Sequence, residues 1–344
     1  MQHLWWKRSI PGSDSVTSAD TIDHKIVYSL VIPVYKNEAN LPSLLQCLDG
    51  MSQALGDKLE VVFVVDGSPD QCYAILKEKL PQQRFPSQLL LHSRNYGSFA
   101  GIRTGMKAMQ GQYMAMMAAD LQEPPELAIE FFQSLERNEA DVVVGARDGR
   151  EDPFMSRVAS ESFWWFYKKF VFPEIPDGGI DMFGCNEVFK KELLGLEESH
   201  GSLIGLIYWL GFRRKTILYK RRVREHGVSA WTLRKKINYL MDSIFAFSDL
   251  PIKLLIALGV LGLAFVVFFS LLILVSKITG AFNVPGYAAT VMTILFFGSL
   301  NIVGIGIVGA YVWRSYGNTM RRPIAVEMRR HIFEASRIAK SPVS

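Results

Sequence analysis

Apolar positions follow two different patterns along this chain. From Ile26 to about Ala146, short apolar runs alternate with segments of helical period, the pattern of strands joined by crossover helices. The runs predict strands over Lys25–Pro33, Leu59–Val65, Gln88–His92, Tyr113–Ala118 and Asp141–Gly145. The stretch Val61-Val62-Phe63-Val64-Val65 does not alternate with polar residues, which suits a strand covered on both faces. The expected core is an α/β, doubly wound, mostly parallel sheet. Such sheets bind ligands beyond the carboxyl ends of their strands, so the residues that follow each strand are the ones to examine for chemistry.

Beyond Pro153 the pattern changes. Phe163, Trp164, Trp165, Phe166, Tyr167, Phe170 and Phe172 crowd a segment that also carries Lys168 and Lys169, and aromatics beside lysines favour a bilayer interface. Leu233, Ile237, Leu240, Ile244 and Phe247 then recur at steps of three or four, an amphipathic helix that Pro251 ends. An ordinary core-facing helix would read the same way for either segment, and their position just ahead of two long apolar runs favours the membrane surface. Those runs, Leu254 to Val275 and Tyr287 to Trp313, contain no charged side chain and exceed the roughly 20 residues needed to cross a hydrocarbon core.

The expected organisation is a flexible polar tail over 1–24, without a secretion signal, and an α/β domain over 25–230 with an interfacial helix near 155–172. An amphipathic helix over 231–251, membrane spans over 252–276 and 287–313, and a tail over 314–344 follow. Of 344 residues 49% are hydrophobic, high for a soluble chain, and the two spans account for the excess. The formal charge is +5, and the basic residues track the membrane boundary. Lys220, Arg221, Arg222, Arg224 and Lys253 precede the spans and Arg314, Arg321 and Arg322 follow them, while the connection 276–286 holds only Lys277. This asymmetry predicts a hairpin with the α/β domain and both ends of the chain in the cytoplasm, and it disfavours a nucleic-acid partner. Cys47, Cys72 and Cys185 lie far apart, which indicates neither a zinc site nor a disulfide framework.

The candidate chemistry sits at the strand ends. Pro33-Val34-Tyr35-Lys36-Asn37-Glu38 opens the crevice after the first strand. Asp66-Gly67-Ser68-Pro69-Asp70 follows the second, where Asp66 could accept hydrogen bonds from a base or ribose or simply start a turn. After the third, Arg94 could meet a diphosphate and Gly97 could let the backbone approach it. After the fourth, Asp120 and Gln122 offer oxygens to a hard divalent cation, with a turn before Pro124 as the plain alternative. His92 and His226 lie near these motifs and read as structural.

Taken together, these strand ends resemble the inverting nucleotide-sugar glycosyltransferases of family two, which have a GT-A fold, and in particular their polyprenyl-phosphate branch. The resemblance runs from about Val27 to Pro323, through Arg221, Arg224, Gly227, Ser229 and Trp231 to Gly306, Gly309, Tyr311, Arg314, Tyr316, Arg322 and Pro323. It implies a GT-A sheet followed by interfacial amphipathic helices and a two-helix transmembrane hairpin. The implied partners are a nucleotide-sugar donor, with uridine favoured over guanosine, and a polyprenyl (undecaprenyl) phosphate acceptor at the inner face of the cytoplasmic membrane. Mg²⁺ or Mn²⁺ is the implied cofactor. A homo-oligomer, with a tetramer as one form, is the implied assembly.

The resemblance assigns donor binding to Pro33, Tyr35, Glu38, Asp66, Arg94, Gly97, Asp120 and Gln122, and metal binding to Asp120 and Gln122. It assigns the acceptor phosphate to Arg221, Arg224 and Ser229, and catalysis to Asp120, Asp181, Arg221 and Arg224. The chain also departs from the family pattern. Val65 and Ala118 stand where an acidic residue is usual, Phe183 replaces an arginine, and Ala230 replaces a lysine. These departures point to altered donor or acceptor recognition. Two other readings are a transferase that extends a lipid-linked saccharide, and a catalytically impaired accessory protein that binds nucleotide sugar or lipid.

Overall fold

The alternation of side chains along β1 (Tyr28–Val34) and β2 (Leu59–Val65) assigns them to two cores, one on each face of a sheet. Leu30, Ile32, Val61, Phe63 and Val65 point to one face, and Val31, Val62 and Val64 to the other. A computed structural model describes residues 26–148, 164–165, 167–176, 179–198, 202–222, 233–279 and 286–336. In it β1 pairs in parallel with β2 and with β4 (Tyr113–Met116), and β2 pairs in parallel with β3 (Ser87–His92). Burial of each large apolar side chain contributes roughly 1.5–3 kcal/mol, so the doubly covered strands dominate the stability of the domain.

Helices α1 (Leu41–Ala54), α2 (Cys72–Lys79) and α4 (Pro125–Glu136) cover the first face. The second is covered by α3 (Ser98–Ala108), α5 (Glu187–Gly195) and α6 (Leu203–Trp209).

The sheet is larger and more mixed than the apolar runs alone suggest. Its order is β7-β5-β6-β4-β1-β2-β3-β8, where β5 is Val142–Arg147, β6 Met182–Asn186, β7 Arg214–Tyr219 and β8 Glu327–Phe333. β6 runs antiparallel between β4 and β5, and β7 adds in parallel to β5. β8, within the expected C-terminal tail, pairs antiparallel with β3 at the opposite edge. It is a mostly exposed edge strand bearing Arg329 and Arg330, so it lacks the apolar run that marks a central strand.

Helix α7 (Leu233–Phe247) joins the domain to the apolar helices. Tyr239, Leu240 and Phe247 lie against the second core and Ile244 is buried, while Ile237 and Met241 remain exposed on another face. Gly205 permits this docking, since a Cβ there would stand 2.3 Å from the Phe247 ring. Of the aromatic segment expected at an interface, 155–163 and Phe166 lie outside the described residues. Tyr167 is fully buried against Tyr239, with ring centroids 6.2 Å apart, and Trp165 is exposed.

Helices α8 (Leu250–Thr279) and α9 (Tyr287–Thr319) are long and apolar enough to cross a membrane, and their apolar side chains are exposed rather than packed in a core. Arg314 on α9 donates to Asp242 Oδ1 on α7 at 2.6 Å and lies over the Phe245 ring.

At the amino edge of the strands, Glu60 is buried and accepts from Ser29 Oγ at 2.6 Å, Gln88 Nε2 at 3.3 Å, Gly111 N at 3.3 Å and Gln110 N. This carboxylate satisfies donors from three neighbouring chain segments at the end opposite the candidate chemistry. Glu60→Ala orphans them, so the expected cost is about 3 kcal/mol, a fall in Tm of roughly 6–12 °C. Thermal unfolding of purified protein reads this directly, and nucleotide affinity of the folded fraction is expected to be unchanged.

Candidate active site

The loops after β1 and β2 are tied together by side chains and border a cleft of about 400 Å³ lined by Lys36, Asn37, Glu38, Pro69 and Asp70. Lys36 N donates to Ser68 Oγ at 2.8 Å, and Ser68 Oγ donates to Asp70 Oδ1 at 2.6 Å. Glu38 N donates to Asp70 Oδ2, and Glu38 Oε2 in turn accepts from Gln71 N at 2.9 Å, at the start of α2. Burial would raise the Asp70 carboxyl, but hydrogen bonds from Ser68, Cys72 and the Glu38 amide hold it below the usual range. The Cys72 thiol is pushed up to about 12 by burial and by its bond to Asp70, which leaves it unreactive. Pro33 and Tyr35 are half-buried at the base of this loop.

Asp66 turns inward. It is 2% exposed and accepts from His92 Nδ1 at 2.8 Å, Tyr96 N at 2.8 Å and Gly97 N at 2.7 Å. The other ring nitrogen of His92 meets Thr104 Oγ1 at 2.9 Å. The Asp66 carboxylate therefore shapes the loop that carries Arg94 and Gly97. Gly67 completes the crossing, because its φ is +57° and a Cβ would stand 2.3 Å from the Arg94 carbonyl carbon. The Arg94 guanidinium is exposed and stacks 4.0 Å from the centroid of the Tyr96 ring. Val65, where the resemblance leads one to expect an acid, is fully buried in the apolar core.

A second group of residues gathers around the segment after β4. Leu121 has φ +53° in the turn after β4; Gln122 N there donates to Asp120 Oδ1 at 3.4 Å, and Gln122 and Glu123 face the chain that leaves β7. Arg222 N donates to the Gln122 carbonyl at 2.8 Å, and Arg221 Nη2 donates to Gln122 Oε1 at 2.5 Å. Arg221 also lies 3.8 Å from Glu123 Oε1.

Asp181, just ahead of β6, receives both nitrogens of a bidentate Arg147 pair, with Nη2 to Oδ1 at 2.8 Å, and the Tyr219 hydroxyl at 2.7 Å. Burial would raise the Asp181 carboxyl, but Arg147 and Tyr219 keep it below its ordinary value. Glu123 moves the opposite way. It is 2% exposed, its Oε2 has no hydrogen-bond partner among the described residues, and burial together with Asp181 pushes it up to about 7 despite Arg221.

Of the expected catalytic residues, Asp120, Asp181 and Arg221 thus converge, linked through Gln122 and Glu123. Arg224 and Ser229 lie outside the described residues. Arg147, Tyr219 and Asp70 join the site without having been singled out from sequence. Arg147 carried a usable signal, since it is a charge directly after the uncharged run Val142-Val143-Val144-Gly145-Ala146, as Asp66 and Asp120 follow theirs.

Among the described residues no three His, Cys, Asp or Glu side chains gather in a way that would hold a metal alone. The donors present are the Asp120 carboxylate, the Gln122 amide oxygen and the orphaned Glu123 Oε2, all hard oxygens. That set fits Mg²⁺ or Mn²⁺ bound jointly with substrate phosphates, because Mg²⁺ is usually held by only one or two carboxylates.

Residues 29–195 match the family described as "Glycosyl transferase family 2". An uncharacterised glycosyltransferase of Synechocystis sp. is 31% identical over 301 residues, which cover 87% of this chain and 94% of that protein. The undecaprenyl-phosphate 4-deoxy-4-formamido-L-arabinose transferase of Edwardsiella ictaluri is 30% identical over 304 residues, covering 86% and 91%. Among solved structures, a mannosyltransferase of Pyrobaculum calidifontis in complex with GDP-mannose and Mn²⁺ superimposes with a TM-score of 0.42 at 15% identity, covering 84% of this chain and 88% of that one. The mixed sheet is a GT-A fold, and the chain belongs to glycosyltransferase family 2.

Proposed function

We propose that this glycosyltransferase moves a sugar from a nucleotide-sugar donor, a UDP-sugar, to the phosphate of a polyprenyl phosphate at the cytoplasmic face of the membrane. The product, a lipid-linked sugar, serves cell-envelope glycan or lipid modification. The observation that carries the reading is Arg221: it contacts Gln122 and Glu123 and belongs to the basic stretch that leads, through α7, to two membrane-length helices. Sugar-phosphate chemistry and a lipid acceptor are served by the same short piece of chain.

In this mechanism the donor diphosphate lies along the carboxyl edge of the sheet near Asp120 and Gln122. Arg94 and Arg221 offset its charge as the anomeric bond breaks, which is electrostatic stabilisation of a leaving group. Asp120 and Gln122, with Glu123 beside them, would hold a divalent ion, which would supply positive charge to that diphosphate. The attacking oxygen belongs to a phosphate monoester, whose second pKa is near ~6, so the reaction runs at neutral pH without a strong general base.

Asp181 is accordingly a positioning residue. Both its oxygens are taken up by Arg147 and Tyr219, and through Tyr219 it sets the course of β7 toward Arg221. Arg224 and Ser229, with Arg221, would receive the acceptor phosphate. A hairpin with both ends on one side is supported by β8, because a strand paired with β3 after α9 requires the chain to return to the side it left.

Purified protein in detergent, given undecaprenyl phosphate, Mg²⁺ or Mn²⁺ and a panel of nucleotide sugars, is expected to release nucleotide and form lipid-linked sugar, detected by mass. Asp120→Asn should lower turnover by about 10²-fold or more, and chelation of divalent ions should abolish it. No product from any donor would sink the proposal.

Asp181→Asn is expected to lower kcat by about 10- to 100-fold with KM for donor little changed, the signature of a displaced partner rather than a lost ligand. Its stability deficit follows from the sign of the shift. A carboxyl held below its ordinary value stabilises the fold above that value, and the contribution disappears as pH falls through the folded-state value. The Tm gap between wild type and variant should therefore be full at neutral pH and close below roughly pH 4.

A further inference from the structure

β8 reaches both of the loops assigned to the donor. Its ladder with β3 passes a register shift at Leu91 and His92, and beyond the strand the Val326 carbonyl accepts from Ser93 N at 3.0 Å. Ser93 directly precedes Arg94, and the same loop is held from β2 by Asp66, which accepts from Tyr96 N and Gly97 N. At the second loop, His331 of β8 hydrogen-bonds through Nε2 to the Tyr73 hydroxyl at 2.8 Å. Tyr73 lies in the first turn of α2, directly after the Asp70–Cys72 turn whose side chains and amides engage the Glu38 loop.

The inward face of β8 serves this second contact. His331 and Phe333 are two residues apart and so share a face of the strand, where Phe333 packs on the first core and the two rings stack with centroids 6.1 Å apart. Ile332, between them, is exposed on the other face. Past the strand, Ser336 N donates to the Gln83 carbonyl at 2.8 Å, which fastens the far end beyond α2. Little of β8 is buried, so its contribution is one of distance: it fixes the Arg94 loop and the start of α2 relative to one strand. Two loops that must grip a ligand between them bind it more tightly when their spacing is set beforehand, because ordering them on binding costs free energy.

We propose that β8 is a brace of the donor site and that His331 is a positioning residue for donor binding. His331 acts through Tyr73 on the turn that carries Asp70, and Val326 acts through Ser93 on Arg94. The inference rests on the reading of these loops as the donor site and is independent of the acceptor.

The test is calorimetric binding of UDP and of GDP, each with Mg²⁺, to the full-length protein in detergent, alongside steady-state kinetics. His331→Ala and Tyr73→Phe are each expected to weaken binding of the nucleotide that wild type takes by roughly 3- to 10-fold. The double variant should be no weaker than either single one, as a single shared contact requires. His331→Gln keeps a donor and an acceptor at similar reach and should bind near wild type, as should Ile332→Ala on the outer face. In the kinetics KM for donor rises in His331→Ala, while KM for polyprenyl phosphate and kcat at saturating donor stay within about 2-fold. Hydrogen exchange adds a local readout: amides of Cys72–Leu76 exchange faster in His331→Ala, and those of α4 do not.

Unchanged nucleotide affinity in His331→Ala overturns the proposal. So do additive losses in the double variant, or a loss in which the KM for donor and for acceptor rise together and α4 also loses protection, which would make β8 a general stabiliser. Binding of neither nucleotide to wild type overturns the donor reading of the cleft and this inference with it.

Discussion

Arg147 and Asp181 form a mostly buried ion pair in which the guanidinium grips both carboxylate oxygens, and the Tyr219 hydroxyl completes the carboxylate's contacts. These three residues come from the ends of β5, β6 and β7, so one contact fixes the relative height of three strands. Two residues beyond Tyr219, Arg221 reaches Gln122 and Glu123 after β4. The placement of Arg221 therefore depends on a pair that it does not itself touch. Breaking one side of a buried pair is costly, because the remaining charge is left in a site prepared for its partner.

The two ends of the strands divide the work. At the amino edge Glu60 collects backbone and side-chain donors and contributes to holding the sheet. At the carboxyl edge the carboxylates separate in character: Asp70 and Asp181 are held ionised by the groups that bind them, whereas Glu123 is buried without a partner for one oxygen. The acceptors of Asp66 are occupied by the loop it shapes and by His92.

Much of this was legible in the sequence because the parallel strands are continuous apolar runs that have to be covered on both faces. β6, β7 and β8 were not legible for the converse reason. β6 follows a crowded aromatic segment, β7 begins Arg214-Lys215-Thr216, and β8 alternates charge with exposed Met328 and Ile332. Asp120, Asp181 and Arg221 could be picked out because a charged group after a strand, or within a motif, is visible locally. Tyr219 acquires its role only from Asp181, far away in sequence, and the position of Arg147 after its strand does not reveal that same partner. The aromatic segment shows the opposite limit, since Tyr167 is a core residue that composition alone assigned to a membrane surface.

The return of the chain from α9 into β8 has a mechanical meaning. Only the residues between Thr319 and Glu327 link the end of a membrane-length helix to a strand whose neighbour, Val326, accepts a hydrogen bond from Ser93 N beside Arg94. Fully extended, eight such steps reach roughly 25–30 Å. This short leash caps how far the Arg94 loop can rise from the plane where α9 ends. For the proposed reaction, between a soluble donor and an acceptor confined to that plane, transfer then becomes a matter of fixed reach rather than of search.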